Sequence, residues 1–213
     1  MSITLSLKMT RRRVAALAFL AATLACLPDY LSAYTVSGPS EAPTPLLGDR
    51  VIVNRAAYDL KAPYSTIRLA KVGTPRRGDL VSFLIPNRNI LGLKRVVGIP
   101  GDTVELRENR LLINGRPMDY AILTRTDFDW VPKTHGLGTV VAAEEGVGGK
   151  GYRITYTPGR SSLRTFGPIT VPDDCFFVLG DHRDNSNDSR TFGPIGRALI
   201  TGKVVWIMPT SRQ

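Results

Sequence analysis

Three short segments of this 213-residue chain hold the side chains able to do chemistry. Ser40 lies between prolines in Gly38-Pro39-Ser40-Glu41-Ala42-Pro43-Thr44. Lys94 lies in Leu91-Gly92-Leu93-Lys94-Arg95-Val96-Val97-Gly98-Ile99. The third segment, residues 180–193, is dense in Asp, Asn, Ser and Arg, yet Cys175-Phe176-Phe177-Val178-Leu179 precedes it and an apolar stretch from Ala198 to Ile207 follows. A lysine surrounded by Leu and Val either snorkels to solvent from an edge strand or is buried. Burial disfavours the ammonium and yields a neutral amine that can take a proton from a serine hydroxyl. That is the Ser–Lys form of nucleophilic catalysis. Ser40 has a plainer reading as a turn residue. Its Gly38-x-Ser40-x-Ala42 spacing approaches a nucleophile elbow but lacks the strand–turn–helix surroundings. The polar run reads either as an ordinary strand–loop–strand turn or as a loop held in one compact shape by side chains bonding backbone.

The elements that must position these residues are strands. Arg50–Val53, Gly78–Ile85, Gly92–Ile99, Thr103–Leu106 and Tyr152–Tyr156 are short branched or alternating runs bounded by Gly and Pro. Arg110–Pro117 reads as a strand entering a tight Asn114-Gly115 turn. Helical periodicity is weak beyond residue 35. The fold class is therefore mostly β, with folded antiparallel sheets or a partial barrel. Residues 119–170, rich in glycine, read as an inserted, partly mobile β region rather than a separate domain.

The N-terminus sets the expected location. Residues 1–13 form a basic segment with Lys8, Arg11, Arg12 and Arg13, and Val14 to Pro28 is uncharged. This run is short for a membrane span of about 20 residues unless Tyr30, Leu31, Ala33 and Tyr34 complete it. It reads as a single transmembrane helix over 14–34, or as a cleavable secretory signal with Ala33 near the cut. Either way the basic flank stays in the cytoplasm and residues 35–213 cross to the far side of the membrane. The net charge of +10 suits an anionic lipid surface. No Lys/Arg stripe interleaved with aromatics favours nucleic acid. Cys26 and Cys175 stand in apolar contexts as small hydrophobes, and no Cys/His spacing involving His135 or His182 suggests a metal. No cofactor is expected.

Taken together, the three segments resemble bacterial type I signal peptidases, membrane-bound Ser–Lys proteases that remove signal peptides from exported preproteins. The likeness covers Val36–Glu105 and Cys175–Ile207. The family's Pro-Ser-Met-x-Pro-Thr-Leu box, followed by Gly-Asp, stands here as Pro39-Ser40-Glu41-Ala42-Pro43-Thr44-Pro45, then Gly48-Asp49. Its Lys-Arg-x-Val-Gly-x-Pro-Gly-Asp box is Lys94 through Asp102 without departure. Its Gly-Asp-Asn-Arg-Asp-Asn-Ser-x-Asp-Ser-Arg box is residues 180–190, with His182 in place of Asn.

The resemblance implies Ser40 as nucleophile and Lys94 as general base, with Ser186 hydrogen-bonding and orienting the amine. It implies an Asp188–Arg190 ion pair supporting the loop, joined by Asp181. The Ser40 N–H would serve the oxyanion, in a sparse hole because Gly38 brings no hydroxyl and Pro39 no N–H. A monomer is expected to bind signal peptides as an added strand, with Gly38, Glu41 and Leu93 beside the substrate. Two departures matter. Pro45 replaces Leu, and Glu41 replaces Met beside the nucleophile. In an extended strand Glu41 points away from Lys94 to solvent; pointing inward, it favours the ammonium and opposes catalysis. Three rivals stand beside the general peptidase: a conjugative-transfer peptidase with one dedicated substrate, an inactive homologue that binds signal peptides without cutting them, and a self-cleaving Ser–Lys repressor. The last would need a soluble N-terminal DNA-binding helix pair where this chain has an Arg-flanked apolar segment. A Ser–His pairing through His182 is a lesser alternative.

Overall fold

The computed structural model describes residues 12, 14, 15, 18, 30–62, 65, 67–88, 90–123, 140–160 and 162–210. Most of the expected membrane segment, the basic segment, Cys26 and His135 lie outside the described residues. Among the described residues no helix is long and apolar enough to cross a membrane. Leu31–Thr35, whose first four residues the sequence placed at the end of that segment, forms a strand instead. It pairs with Arg50–Asn54 in continuous antiparallel register, so its backbone groups are satisfied in a sheet.

The chain is mostly β, as its turn-punctuated short runs predict. In order, the strands are β1 (Leu31–Thr35), β2 (Arg50–Asn54), β3 (Asp59–Lys61), β4 (Arg68–Lys71), β5 (Leu80–Leu84), β6 (Leu91–Gly98), β7 (Thr103–Arg107) and β8 (Arg110–Ile113). There follow β9 (Arg116–Pro117), β10 (Tyr120–Ile122), β11 (Val141–Val147), β12 (Lys150–Tyr156), β13 (Phe166–Thr170), β14 (Cys175–Leu179), β15 (Ile195–Gly196) and β16 (Ile200–Met208). A single turn of α-helix, α1, spans Ser189–Phe192. The largest sheet runs β1-β2-β16-β5-β6-β14-β15, with smaller sheets β13-β7-β8-β9 and β10-β11-β12 and the pair β3-β4. The pairings between the described strands are antiparallel, and an isolated parallel bridge joins Thr155 to His182. The Asn114-Gly115 turn joins β8 to β9 with both residues at positive φ, the geometry a two-residue hairpin requires.

Two apolar clusters lie on opposite faces of the large sheet. Alternation along β14 sends Phe176 and Val178 into one cluster and Phe177 and Leu179 into the other. A central strand covered on both faces must be apolar throughout, which explains the unbroken Phe-Phe-Val-Leu run. Burying each of these side chains stabilises by about 1.5–3 kcal/mol. On β6 the same alternation assigns Val96 to one cluster and Val97 to the other. Lys94 shares its side of the sheet with Val96, and Arg95 shares the other with Val97.

The glycine-rich region is tied to this core. Ala143, Val147, Tyr152 and Ile154 of β11 and β12 pack with Val97, Val104, Leu106 and Phe177. β13 pairs with β7. A fully buried ion pair, Arg183 with Glu145, joins the late loop to β11. Its described strands thus belong to the framework; residues 124–139 lie outside the described residues.

Candidate active site

Ser40 is placed by a three-residue 3-10 turn, Pro39–Glu41. Proline suits the first position of such a turn because its φ is already set and its missing N–H has no bond to make there. A 3-10 turn rotates about 120° per residue, since it has about three residues per turn. Ser40 and Glu41 therefore do not point to opposite sides as they would in a strand. Glu41 turns inward and is 1% exposed, which corrects the solvent-facing orientation allowed by the extended-strand reading. Asp49 anchors the turn's exit: its carboxylate accepts from the Leu46 and Thr210 N–H groups, each at 3.0 Å.

Lys94 stands opposite Val81 of β5 and is 5% exposed. It does not snorkel. Its Nζ donates to Ser40 Oγ at 2.6 Å, to Glu41 Oε1 at 2.7 Å and to Leu93 O at 2.7 Å. These three bonds use every donor of an ammonium. Ser40 Oγ also donates toward Glu41 Oε1 at 3.4 Å. Burial pushes the Glu41 carboxyl up to about 8, with Lys94 pulling it back and Asp181 pushing further.

The 180–193 run packs beneath this pair. His182 N donates to Ser40 O at 3.0 Å, and Thr155 of β12 donates from Oγ1 to Ala42 O at 2.9 Å. Both bonds dock the nucleophile turn onto the late loop and its neighbouring strand. Gly180 makes the approach sterically feasible: a Cβ there would sit 2.1 Å from Ser186 Oγ and 2.6 Å from Ser40 O. Ser186 itself departs from the role the resemblance implies. Its buried Oγ makes no bond to Lys94, whose three donors go elsewhere.

Asp188 and Arg190 form the expected pair, two-pronged at 2.8 and 2.7 Å. Asp188 also accepts from Gly180 N at 3.0 Å and caps α1 through Arg190 N. Burial would raise its pKa, but the Arg190 guanidinium and the N–H bonds hold it below the usual carboxylate range. Arg190 donates to the carbonyl of Arg183 near the loop's start and to that of Leu163 in the segment between β12 and β13. Asp181 does not join this pair. It binds Arg95 in a two-pronged bridge of 2.8 and 2.5 Å, with Arg95 stacked on the Tyr152 ring 4.3 Å away. Consecutive residues of the Lys-Arg box thus have separate duties on opposite sides of β6. His182 makes its ring contact with Thr157 Oγ1 at 3.1 Å, and its bond to Ser40 is through backbone alone. The geometry gives no Ser–His pairing.

A groove of about 390 Å³ opens over Ser40 and Lys94, with Val36, Gly38, Leu91 and Leu93 among its walls. Nothing lies within 4 Å of where a Gly38 Cβ would be. Gly38, Glu41 and Leu93 all line this groove, and Glu41 also reaches the Lys94 amine. Two residues were missed: Asn187, which also lines the groove, and Arg95. Asn187 had no signal apart from its place in the polar run. Arg95 beside Lys94, with Asp181 far off in the other box, was a signal of opposite charges in two apolar settings.

The family model described as "Signal peptidase, peptidase S26" matches residues 9–209. A signal peptidase I of Pseudomonas aeruginosa is 35% identical over 159 residues, covering 74% of this chain and 54% of that relative. One of Bacillus licheniformis is 31% identical over 170 residues, covering 79% and 72%. Signal peptidase IB of Staphylococcus aureus is 31% identical over 171 residues, covering 80% and 74%. The chain thus spans about half the length of the Pseudomonas relative. A family match over nearly the whole chain, joined to a serine hydroxyl in contact with a buried lysine amine, leads to one conclusion: the chain belongs to the S26 signal peptidase family.

Proposed function

We propose that the chain is a serine endopeptidase that removes signal peptides from exported preproteins. The observation that carries this is the 2.6 Å contact between Lys94 Nζ and Ser40 Oγ in a buried site beneath an apolar groove. A neutral Lys94 takes the Ser40 hydroxyl proton as Oγ bonds to the scissile carbonyl carbon. The carbonyl π electrons move onto oxygen, where the Ser40 N–H is the donor implied by the family's geometry. Lys94 then passes its proton to the leaving amine as the C–N bond breaks. A water activated by the same amine hydrolyses the acyl-enzyme.

The substrate has a natural seat. β14 pairs with β6 only from Arg95 onward, so the edge of Leu91–Lys94 on that side carries no strand among the described residues. The opposite wall is the chain from Thr35 to Gly38. An extended peptide laid between them adds as a strand, and its side chains near Ser40 must be small to fit beside Leu93. The inner membrane location, with residues 35–213 outside, remains part of this proposal and rests on the Arg triplet ahead of an uncharged segment.

The test is cleavage of a signal-bearing preprotein by the purified chain beside Ser40→Ala and Lys94→Ala. Cutting after a small residue, with each variant reduced by about 10³-fold or more, is the expected result. A wild type that binds the signal peptide without cutting it selects the inactive homologue, a reading the Glu41–Lys94 contact favours.

A further inference from the structure

The Lys94 amine meets a carboxyl that the family pattern does not supply. Glu41 Oε1 accepts from Lys94 Nζ at 2.7 Å, and Glu41 Oε2 is buried with no partner among the described residues. A carboxylate shut from water with one bare oxygen is costly, and an ammonium beside it is costly too. Moving one proton from Nζ to the carboxyl keeps the pair's net charge at zero and removes both buried charges. The bare oxygen is a ready place for that proton.

The surrounding charges do not prevent the exchange. Arg95, from β6, is bound two-pronged to Asp181 of the late loop. His182 faces the turn through its backbone while its ring bonds Thr157, and burial holds that ring below its ordinary pKa. Behind Asp181, Arg183 and Glu145 neutralise each other. Burial pushes Glu41 toward the protonated form, and Asp181 adds to this.

We propose that Glu41 is a positioning residue that shares a single proton with Lys94, drawing the amine onto Ser40 and then freeing its lone pair by taking that proton. This rests on the protease reading above. In the exchanged state Glu41 is a neutral acid and Lys94 a neutral amine. Ser40 Oγ gives its proton to Nζ as it attacks, the amine becomes ammonium, and that proton leaves with the departing amine. Glu41 keeps its own proton throughout the cycle. The carboxyl beside the nucleophile therefore sets the pH at which the base becomes available.

The experiment measures kcat/KM against pH for the full chain and for Glu41→Gln and Glu41→Met, with a signal-bearing preprotein as substrate. In the wild type the one-proton pair already supplies a free amine, so its acid limb marks uptake of a second proton. Without the carboxyl the amine must give its proton to solvent, and the acid limb should move to higher pH. A merely structural role would scale the rate evenly and leave the limb in place; coincident limbs overturn the proposal. Infrared difference spectra of the unliganded protein supply a second readout that needs no turnover. A protonated-carboxyl stretch that titrates in the wild type and is missing in Glu41→Gln supports proton sharing. No such band at any pH overturns it, whether or not the protein cleaves. A band in a wild type that cuts nothing leaves proton sharing standing and removes the protease reading instead.

Discussion

Replacing Gly180 by Ala tests whether the late loop positions the nucleophile. At a compatible site this change stabilises by about 0.4–1 kcal/mol, because it restricts the unfolded chain. Here the added Cβ would lie 2.6 Å from Ser40 O and 2.1 Å from Ser186 Oγ. The Ser186 hydroxyl can rotate aside, but its Cβ at 2.4 Å cannot, and the Ser40 carbonyl is backbone held by the His182 N–H at 3.0 Å. Ordinary contact begins near 3.4 Å, so the two segments must part by most of an ångström. Overpacking of this kind costs about 1–3 kcal/mol. At roughly 2–4 °C per kcal/mol for a chain of this size, the melting temperature should fall by several degrees. The same displacement moves Ser40 Oγ from Lys94 Nζ. A misplacement of about 1 Å costs about 10²-fold in rate, so kcat/KM should fall about 10- to 100-fold. Calorimetry and preprotein cleavage on one preparation give both numbers. A variant as stable and as active as the wild type would refute the docking role assigned to Gly180.

Two further outcomes follow from the same geometry. Asp188→Asn should lower stability by about 3–5 kcal/mol near neutral pH, because it strands the buried Arg190 guanidinium. The Asp188 pKa is depressed in the folded protein, so its contribution is present above its unfolded value of about 3.9 and is lost as pH falls through the folded value. Melting temperature against pH should therefore be flatter on the acid side in the variant; an unchanged acid slope speaks against the pair. Leu93→Ala should widen the groove beside Ser40 and raise relative kcat/KM for preproteins with Val rather than Ala before the cut by about 10-fold. Competition between the two substrates measures the ratio directly, and a ratio equal to that of the wild type contradicts Leu93 as a wall.

Much of this was legible in the residues. The strand runs, the Asn114-Gly115 hairpin and the apolar β14 could be read locally, because pleat alternation and turn stereochemistry are properties of neighbours in sequence. Ser40 and Lys94 could be paired by type, since a lysine in an apolar run suggests an amine with reason to be neutral. Asp188 and Arg190, with only Ser189 between them, were paired through the resemblance, and the contact forms locally within one turn. Tertiary structure decided the rest. Glu41 faces inward because Pro39 starts a 3-10 turn, whose rotation differs from that of the strand assumed from sequence. Asp181 goes to Arg95 because antiparallel β6 and β14 bring residues 86 positions apart side by side. Ser186 loses the amine because the three Lys94 donors find Ser40, Glu41 and Leu93 first. Residue types thus determined which chemistry was available. Which atoms share a proton depended on distances between segments remote in sequence, and only the packed sheets set those distances.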